Sequence, residues 1–369
     1  MTSEIIQKQR AAMREKGLDA LVLMSPDNIA YTAGVVVPSQ LIVRHRLVLC
    51  LIPLEGEPEI IVVNIEESFV KSNSTIPNVI AYNEFTQDPV QVLAERIKAA
   101  GLGHVGIEFT ALSVKGFQTL EKALPDVSFV AIDELMQQLR MIKTPEELQK
   151  LRHMGKVAER AARKAFEQAK VGMTEIELGQ LIGETYMAEG GERFTMLVVG
   201  AGERSGFANA APTSRKLQPG DVVRVDVIGT GGNYYSDVAR TAVIGEPTDE
   251  QKQVWAHLVE ARKVALDAMR PGAPTRPMYE RYAQQMDEWG LPPIKFLGHG
   301  LGLGLHEEPY IGPYTNIELQ SGMVMCIEPL CWYPNKWGLQ LEDEIIITDD
   351  GYEIITNLYD ETELFRIDG

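Results

Sequence analysis

The chain has little of what a secreted, membrane-bound or nucleic-acid-binding protein needs. Only three cysteines occur in 369 residues: Cys50, Cys326 and Cys331. Their number is odd and their spacing fits no zinc motif. Cys50 and Cys326 lie in apolar, strand-like runs, so buried free thiols are expected. Such usage suits a reducing compartment. The longest apolar run, Leu47–Pro53, has seven residues, against the roughly 20 a membrane-spanning helix requires. The stretch Thr2–Lys16 is charged and helix-like, without the apolar core and cleavage site of a signal peptide, so a cytoplasmic location is expected. Basic residues are outnumbered, 35 Lys and Arg against 52 Asp and Glu, for a net charge of -17. That balance argues against nucleic acid and anionic membrane as partners. Low-complexity segments are missing too.

What remains is globular. The 45% apolar content supplies buried sheets, and the length suits two domains, expected at 1–140 and 141–369. The first alternates helix and strand. Ile5–Lys16 and Gln91–Ala100 read as helices. Ala20–Met24, Arg46–Pro53, Glu59–Val63 and Val105–Glu108 read as strands, and Ser25–Asn28 as a turn. Beyond Met141, Thr144-Pro-Glu-Glu147 is a helix start with N-cap, first-turn proline and capping-box acid, and the helix extends towards Lys170. Thr174–Glu177 and Thr248–Gln251 are further capping boxes. Helix pairs stopping at Gly190 and Gly290 suggest an internal duplication, two α/β halves facing each other across a cleft.

Five side chains stand out in the second domain. Asp226 lies in Val222-Val-Arg-Val-Asp-Val-Ile228, on the same strand face as Val222 and Arg224. Gly231-Gly-Asn233 is a hairpin turn, and the returning strand carries Asp237, eleven residues after Asp226. His299 opens a glycine-rich stretch that ends at His306. Glu328 and Glu342 lie fourteen residues apart on an expected strand pair, Met323–Glu328 and Gly338–Thr348. Four carboxylates and one imidazole do not converge without cations. Two divalent ions, of the Mn, Co, Fe or Zn kind, would neutralise them and hold a bridging hydroxide, a nucleophile at neutral pH. His306 is placed to donate to an oxyanion or carbonyl. Arg240 is expected to brace a ligand. Glu344 is read as an ordinary paired or exposed acid. His45, beside Arg44 and Arg46, and His104, His153 and His257 are read as structural or exposed. Trp332, Tyr333 and Trp337 are read as core, with a pocket wall as the alternative.

These motifs, together with Gly17-Leu-Asp-Ala-Leu-Val22 and Ser25-Pro-Asp-Asn-Ile-Ala-Tyr-Thr-Ala-Gly34, resemble the prolidase, Xaa-Pro aminopeptidase and methionine aminopeptidase family. These are the pita-bread metallopeptidases, which include creatinase. The resemblance implies an α/β (α+β) protein. Its C-terminal domain would have the pita-bread fold with a pseudo-twofold duplication, beside a smaller creatinase-like N-terminal domain. It implies that Asp237 and Glu342 bridge two metals, that Asp226 holds one, and that His299 and Glu328 hold the other. Glu328 would relay a proton to the leaving nitrogen. A homodimer is expected on the same ground.

The chain departs from the prolidase pattern at three places. Ala208-Asn209 stands where that pattern has Pro-His. Tyr310 and Gln340 stand where it often has arginines that grip a carboxylate. His306, Asn209, Tyr310 and Gln340 are the expected substrate contacts. The leading expectation is an Xaa-Pro dipeptidase or aminopeptidase acting on a peptide or small amide. Its rival is a metal-dependent hydrolase or lyase of a small non-peptide compound. A catalytically dead binding module would show disrupted ligands, and none is disrupted.

Overall fold

The computed structural model describes residues 4–43, 45–291 and 294–368. Two compact units divide the chain, Met1–Arg140 and Met141–Gly369. The first unit is built on six strands: β1 (Ala20–Leu23), β2 (Leu49–Pro53), β3 (Glu59–Val63), β4 (Asn78–Tyr82), β5 (His104–Ile107) and β6 (Ser128–Ala131). They form one mixed sheet in the order β4-β3-β2-β1-β5-β6. Val22, Leu49, Ile61 and Val105 lie in its fully buried core. Ser25–Asn28 is not a free turn. Ser25 is the N-cap of a helix, Pro26–Ala33, and its hydroxyl accepts from the Asn28 amide. The proline that suggested a turn occupies the first helical position, where its missing N–H costs nothing. The strand expected from Arg46 begins only at Leu49.

The second unit starts where the capping box places it. The Thr144 hydroxyl accepts from the Glu147 amide, and the Glu147 carboxylate accepts from the Thr144 amide, opening the helix Pro145–Gln168. Thr174 and Thr248 repeat the device for the helices Glu175–Ala188 and Asp249–Leu266. A fourth helix is Thr275–Glu288. Strands β7 (Arg193–Ala201), β8 (Val222–Gly231) and β9 (Tyr234–Ile244) form an antiparallel run. Gly232 and Asn233, both at positive φ, make the turn between β8 and β9, the backbone state a tight hairpin demands. Five further strands form a second sheet: β10 (Gly298–Gly300), β11 (Glu307–Ile311), β12 (Val324–Ile327), β15 (Asp343–Ile347) and β16 (Tyr352–Ile354). Between them β13 (Leu330–Tyr333) and β14 (Trp337–Gln340) make a separate ribbon. Finally β17 (Phe365–Ile367) runs parallel to β9 and completes the first sheet, in the order β17-β9-β8-β7.

The single strand expected over Gly338–Thr348 is therefore two strands in two sheets. The chain bends at Leu341-Glu342, because β14 pairs with β13 whereas β15 pairs with β12.

The duplication is written in the hydrogen bonds. The Gly172 amide donates to Leu217 O at 2.9 Å, and the Gly272 amide donates to Leu319 O at 2.8 Å. The Gly220 amide donates to Ile244 O, and the Gly322 amide to Ile347 O, both at 2.9 Å. In both halves alternate strand residues are apolar and pack outward on a helix pair. Val223, Val225 and Val227 do so on β8, and Met325 and Ile327 on β12. Each such burial contributes about 1.5–3 kcal/mol. The opposite faces carry Arg224 and Asp226 in one half, and Cys326 and Glu328 in the other. Glu328 follows Asp226 by the same 102 residues that separate Leu319 from Leu217.

Candidate metal centre

The two halves meet along β9 and the bend. The Glu342 amide donates to Ala239 O at 3.2 Å, and Thr241 Oγ1 both donates to Gln340 O and accepts from the Gln340 amide. Asp226 lies opposite Ala239, and Ile228 opposite Asp237, so the two aspartates are diagonal neighbours on one face. On the second sheet His299 pairs with Cys326, and Cys326 with Glu344. Glu328 and Glu342 sit just past the ends of β12 and β15, which pair Ile327 with Asp343. All five of Asp226, Asp237, His299, Glu328 and Glu342 are at most 8% exposed. His299 Nε2 stands 3.5 Å from both Asp237 Oδ2 and Glu328 Oε1.

The imidazole is oriented for ligation. Its Nδ1 lies 2.9 Å from Gly300 O, a contact that requires the proton on Nδ1. Nε2 then faces the carboxylates with a bare lone pair. Asp226 Oδ1, Asp237 Oδ1, Glu342 Oε2 and His299 Nε2 are buried and have no hydrogen-bond partner. Buried acceptors aimed at one another are strongly unfavourable unless protonated or bound to a cation. The donor set fits divalent ions on chemistry, hard oxygens with one borderline nitrogen. Ligand atoms of Asp237, His299, Cys326 and Glu342 lie within 4.8 Å of one another.

Without such ions, protons must take their place. Burial raises the Asp226, Glu328 and Glu342 carboxyls well above their usual range, and the neighbouring carboxylates push the same way. Asp237 is raised to about 7, by burial foremost. Burial holds His299 neutral, lowering it to about 4.

The residues around this set differ in exposure and in partners. His306 is exposed and its ring stacks on that of His299, with centroids 3.8 Å apart. Tyr310 is half-buried, 6.1 Å from the His306 ring. Asn209 is exposed and makes no side-chain hydrogen bond among the described residues. Gln340 differs from the open contact residue expected. It is 3% exposed, donates to Glu328 Oε2 at 3.0 Å and accepts from Arg224 at 2.7 Å. Arg240 donates to the Glu342 carbonyl, and also to Glu159 and Asp343.

Glu344 is a correction. It is fully buried, accepts from the Asp237 amide at 2.9 Å, and its second oxygen has no partner. Burial raises its carboxyl well above the usual range, as expected of an acid held neutral. A Cβ on Gly155 would approach that oxygen to 2.5 Å, so the bare glycine lets the helix Pro145–Gln168 pass. Cys326 and Arg224 were likewise not singled out as site residues. The signal was the two-residue period: each lies two positions before an acid on the same strand face, and Glu344 two positions after Glu342.

The other expectations resolve simply. His45 is exposed and pairs with Glu84, as Arg46 does, while Arg44 lies outside the described residues. His104 bonds Gly17 O, His153 is exposed, and His257 stacks on Trp289. Trp337 is in the core, with Tyr333 packed against it. All three cysteines are free and buried. Among the described residues no helix is long and apolar enough to cross a membrane.

A duplicated α/β unit with a buried acid–imidazole cluster between its halves defines a metal-dependent hydrolase. Comparison with known proteins makes this specific. The profile of metallopeptidase family M24 matches residues 149–349, and that of the creatinase/prolidase N-terminal domain matches residues 5–142. The chain belongs to metallopeptidase family M24 and is a metal-dependent peptidase. It is 28% identical to the Xaa-Pro dipeptidase of Pyrococcus furiosus, over 96% of this chain and 97% of that one. It is 29% identical to the probable dipeptidase PepE of Mycobacterium tuberculosis, over 94% and 92% respectively. Among solved structures, the X-Pro aminopeptidase of Thermotoga maritima superposes with a TM-score of 0.88 at 26% identity, covering 98% of this chain and 99% of that one. The dipeptidase PepE of Mycobacterium ulcerans does so with 0.84 at 29%, covering 99% and 97%.

Proposed function

We propose that the chain is a two-metal peptidase that cleaves the bond preceding proline in Xaa-Pro peptides. The observation that carries this reading is the convergence of Asp226, Asp237, His299, Glu328 and Glu342 with four of their ligand atoms buried and unpartnered. Asp226, Asp237, His299, Glu328 and Glu342 would hold two divalent ions between them. Mn, Co, Fe and Zn all suit the donor set. Bound there, the ions supply an activated water and polarise the scissile carbonyl.

The chain's own residues do the rest. The Glu328 carboxylate takes a proton from the attacking water and passes it to the leaving nitrogen. His306, exposed beside His299, donates to the substrate carbonyl. Tyr310 and Asn209 border the substrate. The names of the relatives support proline after the cleaved bond. Gln340 and Arg224 are engaged with each other, so neither is offered to a free C-terminal carboxylate. Peptides longer than two residues are therefore the favoured substrates. A cytoplasmic homodimer belongs to the same proposal, and sedimentation in solution tests its size.

The deciding experiment compares Xaa-Pro dipeptides, Xaa-Pro tripeptides and proline amides on metal-loaded enzyme, with Glu328→Ala as control. Cleavage that is lost in the control, with tripeptides or amides preferred, is the expected result. Turnover of non-proline peptides only would overturn the proline assignment.

A further inference from the structure

We propose that Arg224 is a positioning residue that holds two parts of the site at once, the Glu328 carboxylate through Gln340 and the Ser205–Ala208 backbone, which leads to Asn209, directly. Arg224 is fully buried on β8, on the face that carries Asp226. One arm starts at Nη1, which donates to Gln340 Oε1 at 2.7 Å. The other end of that amide, Nε2, donates to Glu328 Oε2 at 3.0 Å. A donor-only guanidinium at one end and a carboxylate at the other fix which way the amide points. Glu328 is thereby held by one oxygen, and its other oxygen faces His299 Nε2 at 3.5 Å.

The second arm reaches the chain that leads to Asn209. Arg224 Nε donates to Ser205 O at 2.8 Å, and Nη2 to Ala208 O at 2.8 Å and to Phe207 O. Ser205 is tied in turn to the β13–β14 ribbon, its hydroxyl accepting from the Gly338 amide at 2.9 Å. None of these partners of Arg224 is a carboxylate. Burial works against its charge, and the acids of the centre, Asp226 foremost, support that charge only from a distance. What the position uses is the fork, several N–H groups in fixed directions, which a lysine ammonium does not provide.

The two arms predict a separation of effects. Gln340 variants disturb Glu328 alone, whereas Arg224 variants disturb Glu328 and the segment beside Asn209. The kinetic part rests on the peptidase reading above; the remaining measurements do not. The variants are Gln340→Leu, Gln340→Met, Arg224→Met and Arg224→Lys. The probes are manganese(II) titrated calorimetrically, backbone amide exchange at residues 205–209, and steady-state cleavage of an alanyl-prolyl peptide. Both Gln340 variants are expected to weaken manganese(II) binding and lower kcat by about 10-fold or more. Their KM and their exchange at 205–209 should stay as in the parent. Both Arg224 variants are expected to show the same loss, to raise KM in addition, and to speed exchange at 205–209. Arg224→Lys supplies the measurement should Arg224→Met not fold. Unchanged exchange at 205–209 in a folded Arg224 variant overturns the proposal, as does a KM rise of equal size in the Gln340 variants. If the parent cleaves no peptide, the peptidase reading fails, while titration and exchange still decide the role of Arg224.

Discussion

Two buried clusters of acids lie side by side in the second unit, and they are resolved in opposite ways. In one, Glu159, Asp343 and Glu361 surround Arg240, and Arg262 adds a second cation to Asp343. Burial opposes the charge of Arg240, but Asp343, Glu361 and Glu159 outweigh it. In the other, Asp226, Asp237, Glu328 and Glu342 face one another with no arginine or lysine among the described residues bonded to their carboxylates, and several of their oxygens have no partner. Both clusters are equally deep. A protein that neutralises one so thoroughly and leaves its neighbour bare has reserved the second for a cation from solution. The join is intimate, since Arg240 reaches across to the Glu342 carbonyl.

The contrast yields its largest test in activity. Asp237→Asn should lower kcat/KM on the order of 10³-fold, as expected for groups that act as a unit, while the metal-free protein becomes more stable because a buried repulsion is removed. Arg240→Met should do the opposite to the fold, costing about 3–5 kcal/mol in denaturant unfolding by leaving its acids unpaired. Equal destabilisation by both would erase the distinction between the clusters.

Next in size is metal removal. An ion present at about 100 times its Kd should add about 2.7 kcal/mol of stability, seen as a melting temperature that falls on chelation and returns on reloading.

The pH dependence should then depend on the metal. Asp237 is raised to about 7 in the fold, so the folded state holds its proton more tightly than the unfolded chain. That contribution is complete below the ordinary carboxylate range and is lost as pH rises through 7. His299, lowered to about 4, acts oppositely, adding stability as pH rises from 4 to its ordinary 6.5. Above that the carboxyls act alone, and the metal-free melting temperature should fall from pH 6.5 to 8. With metal bound the protons are already displaced and the fall should vanish. A metal-free curve that rises over this window would refute the assignment.

The smallest effect is expected at Glu344. Glu344→Gln preserves the acceptor for the Asp237 amide and should change stability by less than about 1 kcal/mol, whereas Glu344→Ala orphans that amide and should cost about 1–3 kcal/mol.

Much of this was legible in the sequence because it depends on local rules. Three capping boxes located three helices, and alternation around a glycine-asparagine turn put Asp226 and Asp237 on one face. Ser25–Asn28 misled because the same Ser-Pro pair serves turns and helix starts, and only the residues after the pair decide between them. Glu344 and Gln340 were misjudged for a different reason. Their surroundings come from strands far along the chain, and no local pattern says that Gly155 or Arg224 will arrive beside them. The bend at Leu341-Glu342 was hidden too, since an unbroken run of strand-forming residues does not record a change of partner.

That bend has a bearing on how the protein can change. Glu342 is fastened at both ends of its peptide to Ala239 and Arg240, whereas the ribbon just before it ends in an exposed tip at Pro334–Lys336. Length and composition at that tip can drift over generations while Glu342 stays where it is. A chain built this way is free to vary the ribbon without disturbing the buried cluster beside it.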